Sequence, residues 1–356
     1  MASHNLKLTY SILISGILVA CFGLIAIYDA SVVDAFKTFG DKFHYVKQQS
    51  SWLVLGIVVS LITSRFPLNL LKKFAPHLLF FSLFLMILVL IPGVGSKFLG
   101  ARRWIILGPV VIQPSEILKI TLILYLSNWL EKSREIAKFL FVIGLSLVLV
   151  MLQPDLGTAI IIVGASFLVY YLSGAPIKHI VYFSGALLAS VVLLITLSPY
   201  RMDRVRTFLD PTSDPLGRSY HINQILYGIG SGGFGGVGLG RSRQKYAFLP
   251  EATTDSIFVI IAEEFGFIGA TIIIFSLVYL LLSSFKVSLL VKDKFAKLLA
   301  SGVSLLFLVQ IFVNLSSMVA LIPLTGVPLP FISYGGSSLV TNFIALGLLI
   351  NVSREI

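Results

Sequence analysis

The chain has 356 residues, of which 57% are hydrophobic and only 12% carry a formal charge. Soluble domains carry roughly 25% charged residues, so this composition excludes a soluble protein and indicates one that crosses a membrane several times. The formal net charge of +11 does not indicate nucleic-acid binding, because no soluble basic domain lies beside the hydrophobic segments. Basic residues in such a chain more often set its topology or contact anionic lipid.

Hydrophobic segments of membrane-spanning length follow one another from the first residues to the last. They predict an all-α, polytopic fold of about ten transmembrane helices, in a single domain that covers residues 1–356. The predicted spans lie at residues 10–28, 51–64, 76–91, 115–130, 139–152, 156–172, 177–197, 256–285, 296–321 and 337–352. The longest polar segment, at about 198–255, then forms a large loop between helices 7 and 8.

The first of these spans contains the single cysteine, Cys21, within a short sequence that looks like a lipoprotein cleavage box. The hydrophobic segment continues through Ile27, which makes it longer than a cleaved signal peptide. We therefore interpret Cys21 as part of a membrane span. A single cysteine also excludes an internal disulfide.

Lysine and arginine residues predict the side on which the termini lie. An even number of spans puts both termini on one side. If that side is the cytoplasm, the inner segments carry more of these residues than the short outer loops do, including Lys72, Lys73, Arg134 and the cluster at 286–297. The loop at 198–255 also contains several arginines, but long loops cross membranes largely regardless of charge. We expect cytoplasmic termini and an extracytoplasmic long loop, so that a cysteine introduced at Ser213 would be labelled from outside.

Asp255 lies at the seam between this polar loop and the hydrophobic segment that starts at Ile257. Aspartate commonly caps helices, because its carboxylate accepts hydrogen bonds from free backbone N–H groups. Ionisable groups at the rim of a membrane are also costly and usually functional. This stretch alone leaves both interpretations open.

Two more acidic positions lie at the same predicted end of the spans. Glu116 and Lys119 are spaced i, i+3, so they share a helix face and can form a pair, with Ser115 as a candidate cap. The pair could be a purely structural salt bridge or could line a site. Asp155 begins another span, where it could equally be an N-cap.

The long loop contains two segments of interest. Arg201, Arg204 and Arg206 indicate a short amphipathic element over the lipid headgroups, although guanidinium groups could also bind a diphosphate. The glycine-rich segment 228–242 contains weak matches to nucleotide-binding loops, but no βαβ unit surrounds it. We expect its glycines to let the backbone approach another chain or a ligand closely.

A proline-rich segment, 322–338, separates the last two spans and cannot form a regular helix, because it contains Pro323, Pro328 and Pro330. Non-helical backbone at membrane depth needs protein or a cavity around it.

Acids and bases gather at one end of several spans, at Arg102, Arg103, Glu116, Lys119, Asp155, Lys245, Glu251 and Asp255. A transporter would more often place such groups near the midplane of repeated halves, so this pattern favours chemistry on a lipid-anchored substrate.

Four motifs in order resemble the SEDS family, which includes FtsW, RodA and SpoVE. They are Gly-Ala-Arg-Arg-Trp to Gln-Pro-Ser-Glu-x-x-Lys (100–119), Gln-Pro-Asp-Leu-Gly-Thr-Ala (153–159), Leu-Pro-Glu-x-x-Thr-Asp to Glu-Glu-x-Gly (249–266) and Thr-Gly-Val-Pro-Leu-Pro-Phe-Ile-Ser-Tyr-Gly-Gly-Ser-Ser (325–338). The resemblance covers essentially the whole chain, and residues 236–245 are closer to the FtsW form. Thr253 and Ser256 depart from the pattern, since many members have His and Phe there.

This resemblance implies a peptidoglycan glycosyltransferase that polymerises glycan strands from lipid II, with inversion and release of undecaprenyl diphosphate, in cell division. Asp255 would be the general base. Arg102, Arg103, Lys119 and Lys245 would stabilise the diphosphate, with Glu116, Asp155 and Glu251 as further binding residues. No cofactor is required, although a divalent cation, Mg²⁺ or Mn²⁺, could share that task. The sequence shows no ligand spacing that demands a metal site.

The resemblance also implies partners and a location. Family members work with a class B penicillin-binding protein, a transpeptidase, and with other division or elongation proteins. The expected location is the bacterial inner membrane, with lipid II and membrane lipid as ligands, no nucleic acid, and the active site on the outer face. The alternatives are a lipid II flippase, a RodA-type elongation polymerase and a non-catalytic division scaffold.

Overall fold

Helices form most of this computed structural model, which describes residues 2–98, 100–108, 110–179, 181–183, 185, 196, 199–212, 214, 215, 217–246 and 248–356. The helices are α1 (Ala2–Phe39), α2 (His44–Thr63), α3 (Leu68–Leu88), α4 (Pro114–Lys132), α5 (Ile136–Leu152), α6 (Leu156–Leu172), α7 (Pro199–Leu209), α8 (Tyr220–Gly232), α9 (Ile257–Leu290), α10 (Lys294–Met318) and α11 (Gly336–Ser353). The predicted seventh span, 177–197, lies largely outside the described residues, as does Ser213.

Several of these helices are suited to a membrane. Within the described ranges, six of them are long and apolar enough to cross one, namely α1, α2, α3, α9, α10 and α11. Helices α5 and α6 are apolar but shorter, with 17 residues each. The chain is therefore a multi-pass membrane protein, and the number of ten spans in a single domain stays a prediction.

The expectation of an all-α fold is wrong at residues 95–112. The described residues there form a three-stranded antiparallel sheet of β1 (Gly95–Phe98), β2 (Ala101–Leu107) and β3 (Val110–Ile112), in the order β1-β2-β3. Isoleucine, valine and tryptophan dominate β2 and β3, and such residues favour strands. Gly108 follows β2 with a φ of 61°, in the left-handed region that favours glycine. The predicted long loop is likewise not irregular throughout, since it contains α7 and α8.

Helix α10 lies at the centre of the bundle, where it contacts α4, α6, α9 and α11. The last helix, α11, packs closely on α2 through small residues. A Cβ added to Gly347 would lie 1.9 Å from Thr63 Oγ1, and one added to Gly56 would lie 2.9 Å from the Phe343 ring. Small residues let membrane helices approach each other closely, and this favours van der Waals contact between them.

Helix α9 is broken at Gly266, whose φ of 65° and ψ of −162° are not helical. The break leaves backbone groups without their usual partners four residues away. The glycine-rich segment supplies replacements, because Val237 N and Gly238 N donate to Glu263 O and Glu264 O, both at 3.0 Å. In return, Phe267 N and Ile268 N donate to the carbonyl oxygens of residues 233 and 234, at 2.9 and 3.2 Å. All four groups are therefore satisfied within the chain, as a membrane requires.

Glycine is necessary for this exchange because the two backbones nearly touch. A Cβ on Gly232 would lie 2.1 Å from Ala262 O, and one on Gly236 would lie 2.1 Å from Glu264 O. These glycines therefore permit a close backbone approach within the chain, and an approach to another chain or to a ligand stays a prediction. This contact joins two backbones, and it does not depend on the resemblance of the segment to a phosphate-binding loop.

We expect Gly266→Ala to destabilise the protein. Alanine at this φ and ψ is strained by about 1–3 kcal/mol, and its Cβ would also lie 2.3 Å from Gly236 N. The matched control is Gly144→Ala in α5, where nothing lies within 4 Å of the added Cβ. Thermal unfolding in detergent should show a lower midpoint for Gly266→Ala alone. Equal midpoints for the two variants would contradict the role of the break.

The predicted topology can be tested at Thr212, which is exposed between α7 and α8. In a Cys21→Ser background, we expect Thr212→Cys to react with an impermeant thiol reagent added to the outside of intact cells. A tag placed after Arg354 should be reached only after the cells are permeabilised. Labelling of Thr212→Cys only from the cytoplasmic side would refute the topology.

Candidate active site

Asp255 ends a turn that leads into α9, and its side chain does not cap that helix. The N-cap residue is Ser256, and no side chain forms a capping bond there. The Asp255 side chain is buried, and its Oδ1 accepts a hydrogen bond of 3.2 Å from Thr254 Oγ1. The capping interpretation is therefore not what the structure shows, so the buried carboxylate calls for another explanation.

Hydrogen bonds from other segments of the chain hold the backbone of this turn at three consecutive carbonyl oxygens. Tyr334 N donates to Thr253 O at 2.9 Å, and Ser333 Oγ donates to Thr254 O. Asn314 Nδ2 donates to the carbonyl oxygen of Asp255 at 2.9 Å. Each of these three carbonyls thus has a partner on α10 or on the segment after it, so that the position of the turn depends on those elements.

The segment between α10 and α11 encloses the turn. It is non-helical, as its prolines predict, and residues 327–333 are largely buried, while residues 319–326 are half-buried or exposed. Gln49 on α2 anchors it, since Gln49 Nε2 donates to Ser333 O at 3.3 Å and Gly335 N donates to Gln49 Oε1 at 3.2 Å. Gly326 faces the carboxylate, because a Cβ there would lie 3.8 Å from Asp255 Oδ2. The segment therefore forms one wall of the site.

Glu251 begins the turn in a strained conformation. Its φ of 52° lies in the left-handed region that favours glycine. Its exposed carboxylate accepts a hydrogen bond of 2.8 Å from Thr254 Oγ1, the same hydroxyl that faces Asp255. Strained backbone persists where the surrounding structure over-determines it, and such positions cluster at functional sites.

The surroundings of Asp255 raise the pKa of its carboxyl group towards neutral pH. Burial raises the pKa of its carboxyl from 3.8 to about 7, and the negative charge of Glu251 adds to the increase. The hydrogen bond from Thr254 and the positive charge of Arg204 act in the opposite direction. A carboxylate with such a pKa is a suitable general base at neutral pH.

A cavity of about 240 Å³ lies beside this turn, between α7, α8 and the segment at 322–335. Arg204 donates to Leu324 O at one wall, and His221 Nε2 lies 3.0 Å from Ser256 Oγ at another. Burial lowers the pKa of His221 to about 4, with a further contribution from Arg204, so its imidazole is neutral at pH 7. The cavity is lined by Asp203, Arg204, Thr207, Phe208, Arg218, His221, Ile222 and Leu324.

The structure thereby adds two residues that the sequence interpretation did not assign to the site. Arg204 is one of three neighbouring arginines, which indicated an interfacial element and only secondarily an anion site. His221 has no motif around it, and its contact with Ser256 spans 35 residues. Only the fold reveals that both approach Asp255.

Glu116 and Lys119 form the ion pair that their spacing predicts. Lys119 Nζ lies 2.7 Å from Glu116 Oε1, and both side chains are only 3% exposed. The pair has further partners, because Lys119 Nζ donates to Gln310 Oε1 at 3.1 Å and Thr341 Oγ1 donates to Glu116 Oε2 at 3.2 Å. The prediction that Ser115 caps α4 is wrong, since the N-cap is Gln113 and makes no side-chain bond.

Arg103 contacts the short loop between α5 and α6, and Asp155 lies at the end of that loop. Arg103 Nε donates to Gln153 O at 2.9 Å, and its Nη2 donates to the next carbonyl. Asp155 is an N-cap, because its carboxylate accepts from Thr158 N at 3.1 Å and from Thr158 Oγ1 at 2.9 Å. Arg102 lies nearby, with Nη1 at 3.5 Å from Leu90 O. Contact of these three side chains with substrate stays a prediction.

Lys245 is separate from this group. Its Nζ lies 2.8 Å from Asp29 Oδ1 and 3.0 Å from Glu264 Oε1, and its side chain is 3% exposed. Glu264 also accepts hydrogen bonds from Gly240 N and Ser242 N, both at 2.9 Å. These contacts favour a structural role that joins α1, the glycine-rich segment and α9. Contact of Lys245 with a diphosphate stays a prediction.

A metal site does not emerge from the side chains. Within the part of the chain that the structure describes, no group of three or more His, Cys, Asp or Glu side chains lies close enough to hold a metal ion. Involvement of Mg²⁺ or Mn²⁺ therefore stays a prediction, and no step below depends on it.

Known proteins similar to this chain match it over nearly its whole length. The family FTSW_RODA_SPOVE, described as cell cycle protein, matches residues 9–356. The stage V sporulation protein E of Bacillus subtilis (strain 168) is 39% identical over 346 residues, which cover 95% of this chain and 94% of that protein. A probable peptidoglycan glycosyltransferase FtsW of Trichlorobacter lovleyi is 38% identical over 340 residues, covering 93% and 89%.

Solved structures are also similar, and one of them covers the chain almost completely. It concerns the structural coordination of polymerization and crosslinking by a peptidoglycan synthase complex. The matching chain superposes with a TM-score of 0.80 at 30% identity, and the alignment covers 97% of each chain.

Proposed function

Since this chain belongs to the FtsW/RodA/SpoVE family of cell cycle proteins, we propose that it is a peptidoglycan glycosyltransferase that polymerises glycan strands from lipid II. The observation that carries this proposal is the buried Asp255 carboxylate, which caps no helix and has a pKa raised to about 7. A role in cell division agrees with the relatives named FtsW.

In the proposed reaction, Asp255 removes the proton from the 4-hydroxyl of an acceptor GlcNAc. The resulting oxygen attacks C1 of a donor MurNAc from the side opposite the diphosphate, so the new glycosidic bond forms as the C1–diphosphate bond breaks. The configuration at C1 is inverted, and undecaprenyl diphosphate leaves with the bonding electrons. One general base suffices, because a diphosphate whose charge is neutralised needs no proton to leave.

The positive charges near the site would stabilise the leaving diphosphate. Lys119 contacts Gln310, which holds the wall at Pro328, and the charge of Arg204 reaches Asp255 itself. Arg102 and Arg103 lie on β2, where Arg103 contacts the loop between α5 and α6. Guanidinium groups match phosphate oxygens well, because their donors form a planar fork. Lys245 would contribute only if its ion pairs with Asp29 and Glu264 opened. Glu116, Asp155 and Glu251 would bind and orient the substrate around these groups.

The proposed partner is a class B penicillin-binding protein, which would cross-link the strands that this chain polymerises. A similar chain solved in a peptidoglycan synthase complex supports this choice. We place the protein in the bacterial inner membrane, with cytoplasmic termini and with Asp255 on the outer face, where lipid II is consumed.

The alternatives are a lipid II flippase, which would move its substrate without chemistry, and a division scaffold that does neither. Purified protein, its transpeptidase partner and fluorescent lipid II separate them. Polymer sensitive to a muramidase is the expected product. Translocation in vesicles without polymer would indicate a flippase, and absence of both would indicate a scaffold. Assays with division and elongation transpeptidases would distinguish an FtsW role from a RodA role.

The polymerisation rate should depend on pH through Asp255. The general base acts in its ionised form, and with a pKa of about 7 that form predominates only above neutral pH. We expect kcat/KM, which reports the pKa of the free enzyme, to rise about tenfold per pH unit below pH 7 and to level off above it. A profile that is flat between pH 5 and pH 8 would argue against Asp255 as the base.

A further inference from the structure

Two buried amides on α10 connect Asp255 with the rest of the polar network. Gln310 and Asn314 are four residues apart, so they share one face of the helix, and neither side chain is accessible to solvent. Asn314 Nδ2 donates to Asp255 O at 2.9 Å and to Val327 O at 2.7 Å. Gln310 Nε2 donates to Pro328 O at 3.0 Å. The two amides thus fasten the segment at 322–335 to α10.

Asparagine suits this position because its amide nitrogen carries two donors, and both are used. The orientation of the amide follows from its partners, since the reverse orientation would put Oδ1 against two carbonyl oxygens. Among the described residues, Asn314 Oδ1 then has no hydrogen-bond partner, although it is buried. An unsatisfied buried acceptor is unfavourable.

We propose that Asn314 is a positioning residue, which fixes the backbone of Asp255 against Val327 and thereby sets where the Asp255 carboxylate points. This inference rests on the proposed function of Asp255 as the general base. Gln310 extends the same arrangement to the Glu116–Lys119 pair, because its Oε1 accepts from Lys119 Nζ. Gln310 and Asn314 therefore hold two parts of the site, the Glu116–Lys119 pair and Asp255, against the same turn of α10, although these parts lie far apart in the sequence.

The effect on catalysis follows from the geometry that a general base requires. The base must lie within hydrogen-bond reach of the hydroxyl that it deprotonates, and small displacements reduce rates strongly. Without the amide, Asp255 would keep its own side chain and lose only the bond at its carbonyl. Turnover should therefore fall while substrate affinity is retained.

The test compares Asn314→Ala with Asn351→Ala in the lipid II polymerisation assay with the transpeptidase partner. Asn351 is a matched control, because its Nδ2 also donates to two carbonyl oxygens, those of Thr63 and Phe66. It lies near the C-terminal end of α11. We expect Asn314→Ala to lower kcat about 10–100-fold with KM within twofold of wild type. Asn351→Ala should leave both parameters within twofold, whatever its effect on the unfolding temperature.

A second readout is the pH profile of kcat/KM. The charged groups that influence the Asp255 carboxyl are Glu251 in the turn and Arg204 on α7, and the neutral His221 on α8 contacts the adjacent Ser256. A loosened turn would admit water to the carboxylate, so the midpoint of the profile should move to lower pH in Asn314→Ala. Asn314→Ser keeps one donor on a shorter side chain, and an intermediate kcat is expected.

The outcomes discriminate clearly. A folded Asn314→Ala with wild-type kcat and an unmoved pH midpoint would overturn the inference, as would an equal loss of kcat in Asn351→Ala. If Asn314→Ala does not fold, Asn314→Ser is judged by the same two criteria. Failure of the wild-type protein to form polymer would instead refute the proposed function.

Discussion

Asp255→Asn should reduce the rate of glycan polymerisation by about 10²–10⁴-fold, the contribution typical of a general base. Asparagine has nearly the shape of aspartate and caps helices about as well, but its amide cannot accept a proton at neutral pH. The variant therefore separates catalysis from structure. It should be checked first for its unfolding temperature and its complex with the transpeptidase, and then for polymer from lipid II.

The matched control is Asp293→Asn. Asp293 is a true helix cap, because its Oδ2 accepts a hydrogen bond of 2.8 Å from Ala296 N at the start of α10. We expect Asp293→Asn to retain activity within twofold. A well-folded, partner-bound Asp255→Asn variant that polymerises lipid II near the wild-type rate would refute the catalytic assignment. Asp255→Glu is less informative, since it keeps the charge but displaces it by one methylene.

The second large effect is expected at the Glu116–Lys119 pair. Glu116→Gln or Lys119→Met leaves the opposite charge buried without its counter-ion, and such changes destabilise proteins by about 3–5 kcal/mol. Activity should fall with stability, and chemical denaturation in detergent would measure the latter. The control is Glu135→Gln, which breaks the Glu135–Lys138 pair of the same i, i+3 spacing, whose side chains are 57% and 65% exposed. Its cost should stay within about 1 kcal/mol.

Exchange of the two charges tests whether the pair is only a bridge. In the double variant Glu116→Lys, Lys119→Glu, the new carboxylate would face Gln310 Oε1. In the wild-type protein this oxygen accepts a hydrogen bond from Lys119 Nζ. The Gln310 amide could turn over only by giving up Pro328 O. We therefore expect incomplete recovery of both stability and activity. Full recovery would show that the pair is purely structural and that Lys119 does not face substrate.

The sequence predicted those features that depend on neighbouring residues. The Glu116–Lys119 pair follows from helical spacing, and the non-helical segment at 322–338 follows from its prolines. The membership of the family follows from four motifs and is confirmed over residues 9–356. Asp255 could be singled out as well, because a polar loop that meets an apolar helix is visible in the order of residues alone.

Other features depend on contacts between distant segments. The family resemblance implies that Lys245 contacts a diphosphate, but its ion-pair partner Asp29 is 216 positions away in the sequence. Asn314 lies in a glycosylation-like triplet within a span, and nothing local indicates that its amide meets Asp255. The sheet at 95–112 was missed because short strands between spans resemble a polar loop. Its isoleucine and valine residues favour strands by themselves, and Ile106 and Val111 do so while they stay exposed.

The enclosure of the Asp255 turn also bears on biosynthesis. The turn is held by Asn314, Ser333 and Tyr334, which leave the ribosome after it, and the segment that contains the last two is anchored by Gln49, which leaves long before. Helix α11 follows these residues in the chain and packs on α2, which carries Gln49. The geometry of the Asp255 turn therefore cannot form before residues 314–334 have left the ribosome. If Asp255 is the general base, as proposed, a truncated or stalled product that lacks these supports should not polymerise lipid II.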